Sequence, residues 1–598
     1  MKNIYSIMKN RFKNMGLVLV AISVLLINDG CETTDLGVVP SPNELSPNQA
    51  DVDFFLNSIQ QLVAKVHSGT EGRNENGTSQ FGMEPVRIQH SFGPTYRESY
   101  SPTDFDQLWE DTYTGALIDI RTMNPLAEEA GQFTHIAIGQ ILEAYLITTM
   151  VDMFGDVPYT EAARAEEGIF NPVADTGASI YAAADQLLQD AIVNLNRQEL
   201  FLPTNDLYYG GNETQWIKAA NTMRLRLAIQ SRLVNPAEST AIINSLISGG
   251  NLILDNADDL QFQWGSNLAA PDSRHPYFDA NYDGAGPSSD FYTCNYYMNL
   301  MANQYDNADP RMRYYFFRQQ SDYSGADVIT KECVTEPAIP AWWAPFDVYC
   351  LVPAANGFNG LWGRNHLDDD GIPPDDAFRT LHGVYPIGGP FDDESFRNVA
   401  GSTAQSEGLA GAGISPLILA CNTNLMLAES ALVLGTSGDA RGYLELGVRQ
   451  SISKVIAFGE RLGATVMDRV VIEDDPDTPE NEEQTVRDLY IPTEEYINNH
   501  VDEILAAYDA GTDTDKLRVI AEQVFIASWC NGMEAYNTYR RTGQPDNLTP
   551  ATRVADPGTF LRSMWYPQVA SDNNTNITQK SNPDTPVFWD TNPEGFVD

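Results

Sequence analysis

The stretch Gln132–Tyr159, QFTHIAIGQILEAYLITTMVDMFGDVPY, predicts a long amphipathic helix with a defined end. Apolar residues recur in it at three- and four-residue intervals, which is the spacing of one helix face. Gly155 stands where a helix can end with a positive φ angle, and Pro158 prevents any continuation. We interpret this helix as one rod of a larger helical scaffold.

Similar patterns occur on both sides of a long central region. They cover Pro47–Ser68, Thr176–Leu195, Thr214–Val234, Ala237–Ile247, Pro416–Leu434, Ala440–Leu462, Thr493–Tyr508 and Thr514–Tyr539. Paired helices of this length, without parallel-strand signals between them, predict helical hairpins stacked as in tetratricopeptide repeats. No clean 34-residue sequence repeat accompanies them. The scaffold prediction therefore depends on architecture alone.

The central region differs in composition from the helical parts. Asp255–Gly413 is rich in glycine, proline, asparagine, aspartate and aromatic residues, and it has little sustained periodicity. A structureless loop of this length is unusual in a compact domain, so we expect a folded insertion with short strands and helices. The predicted fold class is mainly α: a tetratricopeptide-like helical-repeat scaffold with a long, irregular, loop-rich insertion that carries short strands.

The N-terminus has the features of an export signal. Four basic residues precede the apolar run Gly16–Ile27, which is too short for a comfortable membrane span and favours cleavage. Cys31 follows closely and is the predicted lipidation site of a lipoprotein. Asn28 and Asp29 match the usual residues before such a cysteine poorly, so an ordinary signal peptide is the alternative.

These patterns predict six segments along the chain. They are a lipoprotein signal peptide (1–30), a lipidated N-terminus and tether (31–47), the first part of the scaffold (48–254), a ligand-binding insertion (255–414), the second part of the scaffold (415–545) and an extended C-terminal tail packed on the body (546–598).

Charge and cysteine content exclude some functions. The 598-residue chain has 82 acidic and 36 basic residues and a formal net charge of −46, which repels phosphate groups and argues against a nucleic-acid partner. Such a surface suits salty surroundings, where ions screen the repulsion.

Cys333 and Cys350 are the best candidates for a disulfide in an exported protein. Cys421 and Cys530 lie in helical patterns and are predicted to be buried thiols, and no CxxC motif indicates zinc.

An ordered set of motifs resembles a known family. After the lipoprotein signal come Phe154–Tyr159 (FGDVPY), Asp206–Asn212 (DLYYGGN), Trp216–Arg226 (WIKAANTMRLR), Arg540–Gly543 (RRTG) and Pro586–Asp590 (PVFWD). This order resembles the SusD/RagB family, the SusD-like surface nutrient-binding lipoproteins of Bacteroidota. The resemblance covers nearly the whole mature chain. It departs from the family pattern before Cys31 and in the insertion, which leaves the ligand open.

The resemblance implies a function as well as a fold. It implies a non-enzymatic lipoprotein, anchored at the cell surface of the outer membrane, that caps a TonB-dependent, SusC-like transporter. The protein and the barrel would trap an oligosaccharide or a peptide between them for nutrient uptake. No cofactor is implied, and the same motifs are interpreted as scaffold residues and not as a binding site.

The insertion supplies the residue types that bind sugars. Aromatic faces stack on the C–H faces of sugar rings, and planar polar groups bond their hydroxyls. Trp342 and Trp343, between Pro340 and Pro345, are the first choice because the prolines would stiffen the loop. The other candidates are Tyr296, Tyr282, Trp264, Trp362, Asn295 and Arg364. The alternative is that these aromatic residues form the core of the insertion itself.

A calcium site is a further candidate within the insertion. Asp368 and Asp370 stand in the acidic turn 365–376 and could supply oxygen ligands with a backbone carbonyl. Position twelve from Asp368 is Arg379, where an EF-hand loop requires glutamate. A solvated acidic turn is the simpler interpretation.

Two rival functions fit the sequence less well than a binding protein does. A secreted glycosidase would use paired carboxylates, but with 82 acidic residues such pairs arise by chance. The sequence contains no HExxH motif, no GxSxG elbow and no glycine-rich phosphate loop, and its seven histidines are scattered. A helical adaptor that binds only protein would leave the aromatic insertion unexplained. The sequence therefore favours a non-catalytic binder of glycans, with peptides as the alternative ligand.

Overall fold

Helices dominate the fold on both sides of the insertion. The structure is a computed structural model that describes residues 51–69, 76–199, 201–282, 291–321, 339–343, 346, 348, 358–369, 379–399, 405–473 and 482–597. The mainly α fold class with a tetratricopeptide-like scaffold is confirmed. The signal peptide, the tether, Cys31, Cys333 and Cys350 lie outside the described residues. The predicted segment boundaries stay predictions.

The helices vary widely in length. Before the insertion lie α1 (Val52–Ser68), α2 (Thr78–Met83), α3 (Asp106–Glu110), α4 (Leu117–Ala130), α5 (Phe133–Phe154), α6 (Gly177–Leu195), α7 (Glu213–Gln230) and α8 (Pro236–Gly249). Within it lie α9 (Pro276–Tyr282), α10 (Asn295–Asn303) and α11 (Met312–Tyr315). After it come α12 (Ala420–Leu434), α13 (Ala440–Gly459), α14 (Ala464–Met467), α15 (Val486–Tyr490), α16 (Glu494–Ala510), α17 (Asp513–Ala527), α18 (Gly532–Thr542) and α19 (Gln568–Asn573).

Strands are short and occur as antiparallel pairs in the described parts of the chain. The pairs are β1 (Val157–Pro158) with β2 (Ala174–Asp175), β3 (Leu260–Gln263) with β6 (Ile414–Ile418), β4 (Phe316–Phe317) with β5 (Leu381–His382), and β7 (Val470–Ile472) with β8 (Gln484–Thr485). In the second pair, Leu260 lies opposite Ile418 and Gln263 lies opposite Ile414. This pair joins the two ends of the insertion.

The long helix α5 is the central rod of the first half. It ends at Phe154, and the next residue, Gly155, has φ +82° while its N–H donates to the Val151 carbonyl at 2.8 Å. The predicted helix and its end are therefore confirmed. By length and a mean hydropathy of 1.3 the helix could cross a membrane, but 94% of its apolar window is buried inside the fold. It is a core helix, packed between α4, α6 and α1.

Side-chain caps fix where several scaffold helices begin. The Thr176 hydroxyl accepts from the Ser179 N–H at 3.3 Å, and the Asn212 side chain accepts from two N–H groups at the start of α7. Thr512 and Asp515 form a reciprocal capping box at the start of α17. These caps satisfy backbone donors that have no partner within the first turn of a helix.

Two predicted helix boundaries are wrong. Pro416 lies in β6, because this segment pairs with β3 and must be extended, and α12 begins only at Ala420. The predicted helix Thr514–Tyr539 is two helices, α17 and α18. Between them Cys530 has φ +59°, a conformation that an α-helix of L-residues does not include.

Aromatic residues of the insertion pack against the second half of the scaffold. Trp529, two residues after the end of α17, is fully buried. Its indole ring stacks on Tyr297 at 5.4 Å and on Tyr315 at 5.8 Å, and His382 lies 4.5 Å away between ring centroids. The insertion is thus held by a shared core. The buried thiols predicted at Cys421 and Cys530 are also confirmed.

A buried ion-pair cluster joins α12 to α18. Glu429 lies 2.7 Å from Arg541 and 2.9 Å from Arg232, and its side chain is almost completely buried. Burial opposes ionisation of this carboxyl group. The charges and hydrogen bonds of Arg541 and Arg232 outweigh burial and lower the pKa of Glu429 to about 2.

Candidate functional site

Four chain segments meet around Trp342. The backbone N–H of Leu367 donates to the Ser91 carbonyl at 3.0 Å, and the N–H of Thr552 donates to the His366 carbonyl at 3.0 Å. The indole N–H of Trp342 donates to the Ala551 carbonyl at 3.0 Å. These bonds tie the insertion to an early loop and to the C-terminal tail.

The two adjacent tryptophans take opposite roles. The indole N–H of Trp343 also donates to the Ala551 carbonyl, at 3.1 Å, so one oxygen accepts from both rings through its two lone pairs. Trp343 is fully buried, whereas 39% of the surface of Trp342 is exposed. The structure therefore corrects the prediction that Trp343 faces outward. Ligand contact by Trp342 stays a prediction.

Trp342 belongs to a mixed apolar and polar surface. Ile339, three residues earlier, is 55% exposed. Arg553, two residues beyond Ala551, forms an ion pair with Asp369, with Nε and Oδ1 3.1 Å apart. We call Ile339, Trp342, Asp369 and Arg553 the Trp342 surface. It combines one partly exposed aromatic ring with an ion pair whose charges cancel.

Two neutral histidines bond to residues next to those of this surface: the His366 carbonyl accepts from the Thr552 N–H, and His90 Nε2 lies 2.9 Å from the Asp368 carbonyl oxygen. The pKa values of His90 and His366 lie well below the ordinary range, first because both rings are fully buried. The positive charge of Arg364 lowers the pKa of His90 further, and that of Arg87 acts on His366. Both imidazoles therefore stay neutral in weakly acidic and neutral solution, so they add no charge to the Trp342 surface.

Arg364 is a structural residue in this fold. It is buried, its guanidinium carbon lies 5.4 Å from the Phe92 ring centroid and 5.3 Å from that of Tyr292, and its Nη2 is 3.6 Å from Asp368 Oδ2. The burial of Arg364 does not fit a solvent-facing side chain, and its contact with a ligand stays a prediction. Its guanidinium group contacts two aromatic rings and a carboxylate.

Four other predicted contact residues are also in the core. Tyr296 and Tyr282 are buried, and their hydroxyls donate to Asn547 Oδ1 at 2.9 Å and to the His382 carbonyl at 2.6 Å. Asn295 is fully buried, and Trp362 is only 8% exposed. The expectation of an exposed platform fails for these four because the insertion needs them to cover its own interior. Their burial fits the alternative interpretation as core residues, and their contact with a ligand stays a prediction.

Trp264 lies apart from the other candidates. It directly follows β3, it is half-buried, and its indole N–H donates to Ser415 Oγ at 2.7 Å. No described contact links it to the Trp342 surface. Contact between Trp264 and a ligand stays a prediction.

The calcium prediction is only partly within the described structure. Asp368 is buried beside Arg364, and Asp370 lies outside the described residues. Among the residues that are described, no group of three or more histidine, cysteine, aspartate or glutamate side chains is arranged to hold a metal ion. The structure therefore adds no support for calcium, which stays a prediction.

The sequence did not reveal the contribution of the C-terminal tail. The Ala551 carbonyl fixes both tryptophans although it lies 209 residues after Trp342. Arg553 comes from the same tail segment. An alanine carbonyl has no sequence signature, so only the structure could show this part of the surface.

The architecture defines a class of mainly α-helical proteins in which a tetratricopeptide-like scaffold carries a loop-rich insertion. Two protein-family models of this class match the chain. One, described as "Starch-binding associating with outer membrane", matches residues 42–330, and the other, "Susd and RagB outer membrane lipoprotein", matches residues 410–589. The chain belongs to the SusD/RagB family.

Solved structures share this fold at low sequence identity. A SusD homologue from Bacteroides uniformis is 18% identical with a TM-score of 0.60, over 90% of this chain and 100% of that one. A SusD/RagB family protein from Bacteroides thetaiotaomicron is 17% identical with a TM-score of 0.60, over 91% and 100%. A chitin-binding SusD homologue from Flavobacterium johnsoniae is 19% identical with a TM-score of 0.56, over 91% and 99%. No curated protein matches the sequence.

Proposed function

We propose that this protein is a non-catalytic, glycan-binding lipoprotein that captures oligosaccharides at the Trp342 surface. The main support for the proposal is the half-exposed indole of Trp342, which is fixed by its hydrogen bond to the Ala551 carbonyl. A rigid aromatic face gives stacking area at a low cost in conformational entropy. The family match, and a structural neighbour described as chitin-binding, support a glycan as the ligand.

The charges around Trp342 favour a neutral ligand. The charges of Asp369 and Arg553 compensate each other, and His90 and His366 stay neutral. The net charge of −46 also repels polyanions. Dissolved salt limits the range of this repulsion to about 10 Å. We therefore expect neutral polysaccharide fragments to bind more tightly than uronate-rich ones.

Titration tests the function directly. The mature fragment, residues 32–598, is titrated by calorimetry with chitin, starch and β-glucan oligosaccharides, with polygalacturonate and with a peptide mixture. Each mixture is then analysed by chromatography. Binding of a neutral glycan without new products supports the proposal. Binding of peptides alone would assign the peptide alternative, and shortened glycans would mean that the protein is a hydrolase.

We also propose that the protein is anchored at the outer membrane through Cys31 and caps a TonB-dependent, SusC-like transporter. Support comes from the family description as an outer-membrane lipoprotein. Cys31→Ala should move the protein from the membrane to the soluble fraction of cells that lack the transporter. Continued membrane attachment of that variant would contradict lipidation. In cells with the transporter, a tagged wild-type protein should co-purify with an outer-membrane barrel.

A further inference from the structure

A cavity, separate from the Trp342 surface, lies where the insertion meets the second half of the scaffold. It is an open pocket of about 300 Å³ between the start of α11, Phe358 and the segment that joins α15 to α16. We call it the Tyr490 pocket and define it by Arg313, Phe358, Asp488, Tyr490, Thr493 and Tyr496. Its volume is at the lower limit of small-molecule sites, which enclose about 300–1,000 Å³.

One wall of the pocket is a rigid stack of planar groups. The guanidinium carbon of Arg313 lies 4.9 Å from the Phe358 ring centroid and 4.6 Å from that of Tyr490. Arg313 Nη2 donates to Glu394 Oε1 at 2.7 Å, and Nη1 donates to the Asp392 carbonyl at 3.3 Å. The stack is therefore fixed before any ligand arrives, and the charge of Arg313 is compensated by Glu394.

The same pocket offers hydrogen-bonding groups with unused capacity. The Tyr490 hydroxyl has no hydrogen-bond partner among the described residues, and neither does Asp488 Oδ1, since Thr485 bonds to Oδ2. The Tyr496 hydroxyl donates to the Ala308 carbonyl at 2.6 Å and can still accept a bond. Thr493 Oγ1 accepts from the Tyr496 N–H at 3.2 Å and can still donate.

Two charged residues of the lining, Asp309 and Arg313, already have a partner of opposite charge. Asp309, which lines the pocket, is ionised: burial opposes this, but Arg311, 2.6 Å away, outweighs burial and holds the pKa of Asp309 well below its usual range. The charge of Asp309 is therefore compensated by Arg311, as that of Arg313 is by Glu394. The lining therefore fits an uncharged molecule that combines an apolar face with hydroxyl groups.

We propose that the Tyr490 pocket binds one neutral pyranose unit and is a second glycan-contact site, separate from the Trp342 surface. The sugar ring would lie against the aromatic wall, with its hydroxyls bonded to Tyr490, Thr493 and Asp488. The ligand class is taken from the proposed function, whereas the site itself follows from the cavity and its lining.

Crystals of the mature protein soaked with N-acetylglucosamine or methyl β-glucoside test the site. Wild-type protein and Trp342→Ala should both show a sugar ring in the Tyr490 pocket, and Tyr490→Ala should show none. Tyr490→Phe keeps the ring over Arg313 and removes only the hydroxyl, so by calorimetry it should bind about fivefold more weakly, the loss expected for one hydrogen bond. This variant keeps the test valid if Tyr490→Ala does not fold.

The outcomes separate this inference from the proposed function. An empty pocket in both soaks, in a lattice that leaves the pocket open, overturns the inference whatever happens at Trp342. Unchanged affinity of Tyr490→Phe, with a sugar in the pocket, also overturns the assigned role of the hydroxyl. A sugar bound at Tyr490 while Trp342→Ala changes no glycan affinity would support the pocket and contradict the Trp342 surface.

Discussion

Glu522 of α17 provides a quantitative test of the buried electrostatics. Its carboxyl group is almost completely buried, and Gln304 donates a hydrogen bond to it. Burial raises the pKa of Glu522 from 4.5 to about 7, and the nearby negative charge of Asp546 adds to the rise. Gln304 and Arg518 act in the opposite direction but do not cancel it.

The sign of the effect on stability follows from proton binding. Between pH 4.5 and pH 7 the folded protein holds a proton on Glu522 that the unfolded chain has released. Stability from this group is therefore present at low pH and falls as pH rises through this window. A shift of one pKa unit corresponds to about 1.4 kcal/mol, so the loss between pH 5.5 and pH 8 should be about 2 kcal/mol.

Glu522→Gln removes the titration and preserves the shape of the side chain. Urea unfolding of wild type and variant at several pH values gives the difference in unfolding free energy. We expect this difference to grow in favour of the variant by about 2 kcal/mol from pH 5.5 to pH 8. Glu129→Gln, at an exposed carboxylate, is the matched control. A Glu522→Gln difference that stays constant with pH would refute the reasoning.

Three further predictions concern stability. Burial lowers the pKa of five histidines: His67, His90, His275, His366 and His382. Their contribution to stability is therefore complete above pH 6.5 and is lost as pH falls. Unfolding free energy should decrease as pH falls below 6.5, by at most about 1.4 kcal/mol per pH unit for each histidine that is charged in the unfolded chain and neutral in the folded protein. A flat profile in urea titrations would disprove this. Trp343→Ala should cost about 3–5 kcal/mol and Trp342→Ala about half as much in the same assay; equal costs would contradict their different burial. Arg541→Met should cost about 3 kcal/mol because it weakens the pairing of the buried Glu429 carboxylate, whereas Arg164→Met, at an exposed pair that solvent screens, should change stability much less. Equal thermal shifts for these two arginine variants would be inconsistent with the buried cluster.

Local signals in the sequence were sufficient for most scaffold helices. The end of α5 could be predicted because Gly155 and Pro158 act within a few residues of it. The strand at Pro416 could not, since it forms only by pairing with β3, about 150 residues earlier in the chain. Local propensity does not contain such long-range pairing.

The candidate site was predictable only in part, because it too depends on contacts between residues that are far apart in the chain. Composition identified an aromatic insertion, but it could not separate rings that bind from rings that pack. Trp342 and Trp343 are neighbours in sequence, yet one is 39% exposed and the other is fully buried. Both indoles bond to Ala551, in a tail segment about 200 residues later, which no local pattern contains. In addition, Trp529 recruits Tyr297, Tyr315 and other insertion aromatics into a shared core.

The most direct test of the central claim is the glycan affinity of Trp342→Ala. Using the neutral oligosaccharide that binds the wild-type mature fragment, calorimetry should show about tenfold weaker binding for Trp342→Ala, which corresponds to about 1.4 kcal/mol for one lost stacking contact. Phe170→Ala removes another exposed aromatic ring and should bind like wild type, and all three proteins should keep the same helical circular dichroism. Equal affinity of Trp342→Ala and wild type would contradict the assignment of the Trp342 surface as the glycan-binding site.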